Sequence, residues 1–471
     1  MKPIAEDDNA PVVADESPEP APFIAPDVES PMAGFCRFWA IAIIAHLIAN
    51  PPRPEIRPDG DLLRFADLGL GAAALWLFLR PDNPRARLAT AVLLPLTVWF
   101  EAPFIGNHWL LAGLVSIALL ISHFRADPWA WFAPTARILL IGFYTFAALA
   151  KLNEGFFDAV ASCGVFYTNQ SLDGVLLPGL PTGGLLATGI AAAVAAIELS
   201  VPVLLAIRRT RYLGVAVAMA FHFAISLDLN QHFYDFTSLL FALFVLFLTD
   251  GALRRLGRIE LSMLMQTLVL AFVGVLVFTA TTSSDLDSLE LVRIAAMIPW
   301  VAFGVVTLRR VWGERYQSRE KAFAVVSPAA ALLLLVVIAN GLTPYLEVKT
   351  STSWNMYANL VTGDGESNHF LVRQTAAPFG QRETFVAVVA TNDEDLEAYI
   401  DSDLLVPRSN LDRYLSDHPD STVTISVDGN QQTLTADDVD APNVFEDKFL
   451  SFRSIDEQDP PRCQTTFLPA R

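Results

Sequence analysis

The sequence predicts an all-α polytopic membrane bundle of about 9–13 transmembrane helices, followed by a small C-terminal extracytoplasmic α+β domain. Three observations carry this expectation. Of the 471 residues, 53% are hydrophobic and 17% charged, with a mean hydropathy of +0.41, which is too apolar for a water-soluble chain of this length. Apolar runs near the ~20 residues that a bilayer requires recur along the chain. Arginines collect in alternate loops between those runs.

Residues 1–31 are acidic and proline-rich, with acids from Glu6 to Glu29 against the single Lys2. They read as a disordered cytoplasmic tail and lack the short basic start of a secretory signal. Apolar runs follow at 33–50, 62–80, 87–105, 106–124, 133–152, 183–207, 213–229 and 233–249, within a first membrane region spanning 32–260. Further runs at 262–281, 293–310 and 324–346 make a second membrane region, 261–348. With the N-terminus cytoplasmic, Arg80, Arg85, Arg87, Arg125, Arg208, Arg209, Arg211, Arg254, Arg255, Arg258, Arg309, Arg310, Arg315, Arg319 and Lys321 fall inside. The alternate loops hold few basic residues, as the positive-inside bias requires. Residues 349–471 are then an outer domain large enough for its own small core. Thr384–Thr391 reads as a strand there, Thr422–Thr435 as a hairpin turning at Asp428-Gly429, and Leu404–Tyr414 as a short helix.

The formal net charge of −18 argues against a nucleic-acid partner. Cys36, Cys163 and Cys463 form no disulfide scaffold or zinc motif, and the histidines are scattered without metal-ligand spacing, so no metal is expected. Cys163 and Cys463 both fall outside, where a disulfide is permitted.

The stretch Phe143–Asp158, F-Y-T-F-A-A-L-A-K-L-N-E-G-F-F-D, holds the lone cation Lys151, and no Lys or Arg follows from Leu152 to Ile207. A cation at a span end is either an anchor snorkelling to the headgroups or a buried base. Counted at 1.5 Å per residue, Lys151 lies ~27 Å up its span, and His108 begins the next span down from the same side. The two can therefore share one outward-facing cavity. Tyr144, Ala148 and Lys151 fall on one helix face. Glu198 and His222 lie at matching depths of ~14 and ~15 Å on neighbouring spans. They read as partners, either as a structural hydrogen bond or as a catalytic pair. Asn230–Thr237, N-Q-H-F-Y-D-F-T, either lines a site mouth or caps two helices, and Glu101 and Asn107 lie at the outer turn of the third and fourth runs. Asn169-Gln170-Ser171 fits a glycosylation sequon, a weak pattern.

Several of these stretches occur together in one known family. A-A-L-A-K-L-N-E-G-F-F, G-N-H-W-L-L (Gly106–Leu111), E-L-S-V-P-V-L-L-A-I-R-R-T-R (Glu198–Arg211) and F-H-F (Phe221–Phe223) appear in that order. They are followed by W-N-M-Y-A-N-L (Trp354–Leu360) and G-E-S-N-H-F-L-V (Gly365–Val372). In these motifs the chain resembles the vitamin K-dependent γ-glutamyl carboxylases and their bacterial relatives that carry an HTTM domain. The resemblance covers roughly residues 33–250 and 354–372, and 262–346 match nothing in it.

The resemblance implies a carboxylase-like lyase that uses reduced vitamin K or a related lipidic quinol. In that family a lysine deprotonates the quinol, and its oxygenation supplies the base that removes a γ-proton from a peptide or protein glutamate for carboxylation. Lys151 matches that lysine and His108 the histidine of the Asn-His element, so both are expected as catalytic residues. Tyr144, Asn107, Glu198 and His222 are expected to bind the quinol. The expected setting is a bacterial plasma membrane. The rival expectation is a non-catalytic scaffold or transport partner that keeps the helix bundle, with Lys151 facing headgroups.

Overall fold

The computed structural model describes residues 29–51, 60–259, 262–313, 327–378, 382–427, 429–440 and 443–464. Residues 1–28 of the tail expected over 1–31, the loop cations Arg53, Arg57, Arg315, Arg319 and Lys321, and Asp428 lie outside the described residues, while Pro31 already belongs to the first helix.

Each apolar run becomes a helix. They are α1 (Pro31–Ala49), α2 (Gly60–Leu79), α3 (Pro84–Glu101), α4 (Asn107–His123) and α5 (Pro128–Leu149). Two short outer helices follow, α6 (Glu154–Phe157) and α7 (Cys163–Gly174), before α8 (Gly184–Ala206), α9 (Arg211–Ile225), α10 (Tyr234–Phe244) and α11 (Asp250–Leu256). The last long helices are α12 (Met263–Thr282), α13 (Leu286–Gly313) and α14 (Pro328–Leu342). Their starts follow local rules. Ser30 Oγ accepts the Ala33 N–H ahead of Pro31, Asn83 Oδ1 caps α3 ahead of Pro84, and Asp127 caps α5 ahead of Pro128.

Six of these helices are long and apolar enough to cross a membrane: α1, α2, α5, α8, α12 and α13. The helices α4, α9, α10 and α14 are apolar but shorter. The helix α1 is the axis of the bundle, with 94% of its apolar window buried against 22% for α12. It packs on α2, α10, α11, α12 and α13, whereas α12 turns Leu264, Leu268, Phe272, Val275 and Phe278 outward on the rim. Close helix contacts use small residues: a Cβ on Gly304 would lie 2.2 Å from the Phe223 ring, and one on Gly341 2.3 Å from Phe146.

The C-terminal region holds a two-stranded ribbon, β1 (Thr362–Gly363) with β2 (Glu366–Ser367), and an antiparallel sheet. The sheet comprises β3 (Phe385–Thr391), β4 (Leu404–Pro407), β5 (Val423–Val427), β6 (Asn430–Leu434) and β7 (Ile455–Asp456) in the order β6-β5-β3-β4-β7. It is accompanied by α15 (Glu394–Asp401), α16 (Arg408–Asp417) and α17 (Val444–Phe449). Val386, Val388, Val406 and Ile425 pack with Leu396, Leu411 and Leu415 as its core. The strand at Thr384–Thr391 and the hairpin at Thr422–Thr435 are as expected; Val427 pairs with Asn430 across a turn in which Gly429 takes φ +80°.

The expected helix at Leu404–Tyr414 is corrected. Its first residues are β4, pairing Val406 with Val386, and helix begins only at Arg408. Pro407 disfavours a helical Val406 and then stands as the N-cap of α16. This region meets the bundle where Phe449 lies against Trp99, ring centroids 5.6 Å apart, at the C-terminal end of α3.

Candidate functional site

The end of α5 is clasped by the chain that follows α14. Asn153 caps α6 through Oδ1 and donates from Nδ2 to the carbonyls of Ala150 (2.7 Å) and Ala358 (2.5 Å). Phe370 N donates to Leu152 O at 2.8 Å, and His369 Nε2 contacts Leu149 O at 3.0 Å. Trp354 is fully buried, donating from its indole to Val337 O at 2.7 Å with its ring against Phe143. Asn359 accepts from Cys163 N at 2.8 Å and donates to Ala161 O at 2.9 Å. A disulfide joins Cys163 to Cys463 beside it, the pairing that the shared outer side permitted. The backbone of this clasp is unusual: Thr352, Trp354, Tyr357 and Asn359 have φ of +58°, +59°, +49° and +53°. Such left-handed residues other than glycine cost on the order of 1–3 kcal/mol each and persist only where surrounding contacts fix them.

Beneath the clasp is a cavity of about 90 Å³. Phe143, Phe156, Phe221, Phe233, Phe236 and Trp354 line it. Lys151, Glu198, Tyr144, His222 and Asn107 line it too, so the fold gathers these sequence candidates around one space. Lys151 is buried, and its Nζ lies 2.8 Å from Glu198 Oε2, with the carbonyls of Ala147 and Met356 at 3.3 and 3.4 Å. Its ammonium points into the protein, not to headgroups. The Asn107 amide is buried with neither polar atom hydrogen-bonded, and His222 Nδ1 is likewise without a partner. Buried polar atoms of this kind normally have partners, and both residues belong to the cavity lining.

Two expectations are corrected. Glu198 does not pair with His222. It pairs with Lys151, while His222 Nε2 contacts the Tyr144 hydroxyl at 2.8 Å and the His222 carbonyl accepts from Thr237 Oγ1. The depth count used Cα positions, but helical side chains lean toward the N-terminus. Lys151 Nζ therefore lies one turn back, beside Ala147, within reach of α8.

His108 does not line the cavity with Lys151. Its Nε2 lies 2.9 Å from Asp235 Oδ2, behind Phe236. Its neighbour Asn107 occupies the cavity wall instead. The Gly106 N-cap makes this rotamer possible, because a Cβ there would lie 2.6 Å from His108 Cε1.

Behind that wall is a buried polar cluster. His46 Nδ1 lies 3.1 Å from each Asp235 oxygen, and His46 Nε2 3.1 and 3.2 Å from the Glu101 oxygens. Asn50 Nδ2 donates to Asp235 Oδ2 at 2.5 Å, and the His46 imidazole stacks on Trp109 at 3.4 Å. Sequence reasoning did not single out His46. Its signal was an ionisable residue within an apolar run, as was that of Asp235. The roof residues Met356 and Tyr357 stood within the W-N-M-Y-A-N-L motif, but nothing local links them to α5.

These features define a helical bundle of membrane type whose C-terminal region covers an aromatic cavity beside a buried Lys–Glu pair. No family model, curated protein or solved structure matches the chain.

Proposed function

We propose that this chain is an integral membrane enzyme of carboxylase-like type, in which a lipidic quinol binds under the clasp and Lys151 acts on it. The observation that carries the reading is the position of Lys151: a buried amine paired with Glu198 in the wall of an aromatic cavity. The cavity suits a flat, apolar ring with polar edges. Phe and Trp faces sandwich such a ring, while the unpartnered Asn107 amide and His222 Nδ1 offer hydrogen bonds to its oxygens. When bound, the quinol supplies the oxygen-dependent chemistry that drives proton removal from a glutamate side chain.

The chain's own residues do the rest. Transfer of the Lys151 proton to Glu198 across 2.8 Å leaves the neutral amine that a base requires. Tyr144 holds His222 in one orientation. The clasp excludes water, which strengthens each of these contacts. His108 sits outside the cavity and acts on it only by fixing Asn107. In this reading all eleven apolar helices lie in the bilayer, with the N-terminus cytoplasmic, the clasp and sheet outside, and the bacterial plasma membrane as setting.

The test is oxygen-dependent oxidation of a reduced naphthoquinone by the purified protein in detergent, comparing wild type with Lys151→Ala and Lys151→Arg. Turnover lost in both folded variants supports the reading. No turnover by wild type, with the Lys151–Glu198 pair contributing only stability, would favour the scaffold.

A further inference from the structure

We propose that His46, His108 and Asp235 form a buried site for one divalent transition-metal ion, Zn²⁺ or Fe²⁺, with Glu101 as its outer carboxylate. One ligand atom from each of the three lies within 4.8 Å of the others, and all three side chains are buried. The contacts of 3.1 Å from His46 Nδ1 and 2.9 Å from His108 Nε2 to the Asp235 oxygens are close to the edges of a metal polyhedron. Ligands ~2.0–2.1 Å from a tetrahedral ion stand ~3.3 Å apart, so the two edges to Asp235 need open by only a few tenths of an ångström, while the His46–His108 edge, within 4.8 Å, draws in around the ion. Two imidazoles and one carboxylate are a donor set that such ions take with a position left open.

Two further observations fit an ion. His46 Nδ1 faces both the Asp235 carboxylate at 3.1 Å and the Asn50 Nδ2 donor at 3.3 Å. For a neutral ring, one tautomer sets the ring N–H against the amide N–H and the other sets the ring lone pair against the carboxylate; without an ion, only an imidazolium donating to both Asp235 and Glu101 suits the ring. A cation between Nδ1 and Asp235 removes the conflict, because it uses both lone pairs and leaves the amide to the second face of Asp235. The other observation is the second ring nitrogen. His46 Nε2 lies on Glu101, and the ring is fixed flat on Trp109, which is the carboxylate–histidine support that metal-ligating imidazoles use.

The four residues come from α1, α3, α4 and α10, as in bundle-core metal sites built from facing helices. They are scattered over the sequence, which is why its spacing led to the expectation of no metal. An ion here ties the outer ends of four helices together and fixes Asn107 on the cavity wall.

The experiment is metal content of the full-length protein in detergent after equilibration with Zn²⁺, or with Fe²⁺ under anaerobic conditions, then removal of free ion. The expected result is about one ion per chain, absent in Asp235→Asn and His46→Gln. Glu101→Gln should keep the ion with affinity weakened about 10–100-fold. A wild type that takes up neither ion, or an Asp235→Asn variant that holds it equally well, overturns the site and leaves a hydrogen-bonded network. Should Asp235→Asn not fold, Co²⁺-loaded wild type decides: an absorption spectrum of low-coordinate N/O type supports the site, and an aqua-like spectrum overturns it. No quinol enters these measurements, so the quinol reading and this one fail separately.

Discussion

Glu198 Oε2 lies 2.8 Å from Lys151 Nζ, joining α8 to the chain just past the end of α5 at the floor of the clasp. Lys151 is buried and Glu198 nearly so, so each charge depends on the other. Removing one partner of a buried pair costs on the order of 3 kcal/mol, because the remaining charge is stranded. Glu198→Gln and Lys151→Met alone are each expected to lower thermal stability markedly. The double variant should recover most of the loss. Thermal unfolding of the four proteins in detergent gives the coupling, and additive losses would show that the pair contributes nothing to the fold.

Gly106→Ala should disturb His108 more than any neighbouring residue. The added methyl would lie 2.6 Å from His108 Cε1 and 2.7 Å from Nδ1. The ring must swing away and lose its 2.9 Å contact with Asp235. A cost of about 1–3 kcal/mol is expected, read as a lowered unfolding midpoint. A midpoint equal to wild type would show that the ring has another place to go.

Stability of the outer region should depend on pH in two windows. Burial pushes Glu383 up to about 7 from its ordinary value of 4.5. Between those values the folded state binds more protons than the unfolded one, so stability falls as pH rises through the window. Burial pushes Lys349 down to about 7 from 10.5, and its Nζ has Thr352 Oγ1 at 2.9 Å. Between about 7 and 10.5 the unfolded state binds more protons, so stability rises with pH there. Lys349→Met should flatten the alkaline rise and leave the acidic limb unchanged. Unfolding midpoints from pH 5 to pH 10 test this, and an unaltered alkaline limb in the variant would reject the assignment.

The Cys163–Cys463 disulfide closes a span of 300 residues. Its removal by paired serine substitution is expected to cost about 2–5 kcal/mol. The loss should appear first in the clasp, because Cys163 N is also held by Asn359. Hydrogen exchange of Cys163 and its neighbours would show it, and protection identical to wild type would place the stabilisation elsewhere.

Helices and their order were legible because long apolar runs bounded by proline, glycine and charge stand out in the sequence. Lys151 was legible as the only cation over a long apolar stretch. Its partner was not, since depth was reckoned along the backbone while the side chain reaches back one turn. The His46–Asp235 contact bridges 189 residues, and no local period records a meeting of that kind. His108 was placed at the right depth but on the wrong side of Phe236, because helix rotation is set by packing. In the outer region, Val406 and Pro407 turned an apparent helix into a strand through pairing with β3. The left-handed turns at Thr352, Trp354, Tyr357 and Asn359 carry no glycine to announce them.

Met356, whose carbonyl receives Lys151 Nζ, follows that lysine by 205 residues. The ribosome therefore finishes every wall of the chamber long before it makes the ceiling. Until the last part of the chain has folded back, the lysine stands in an open trough, and a polypeptide cut short near α14 would never acquire its roof. Order of synthesis thus acts as a safety catch: the lysine is covered only once the last part of the chain is in place.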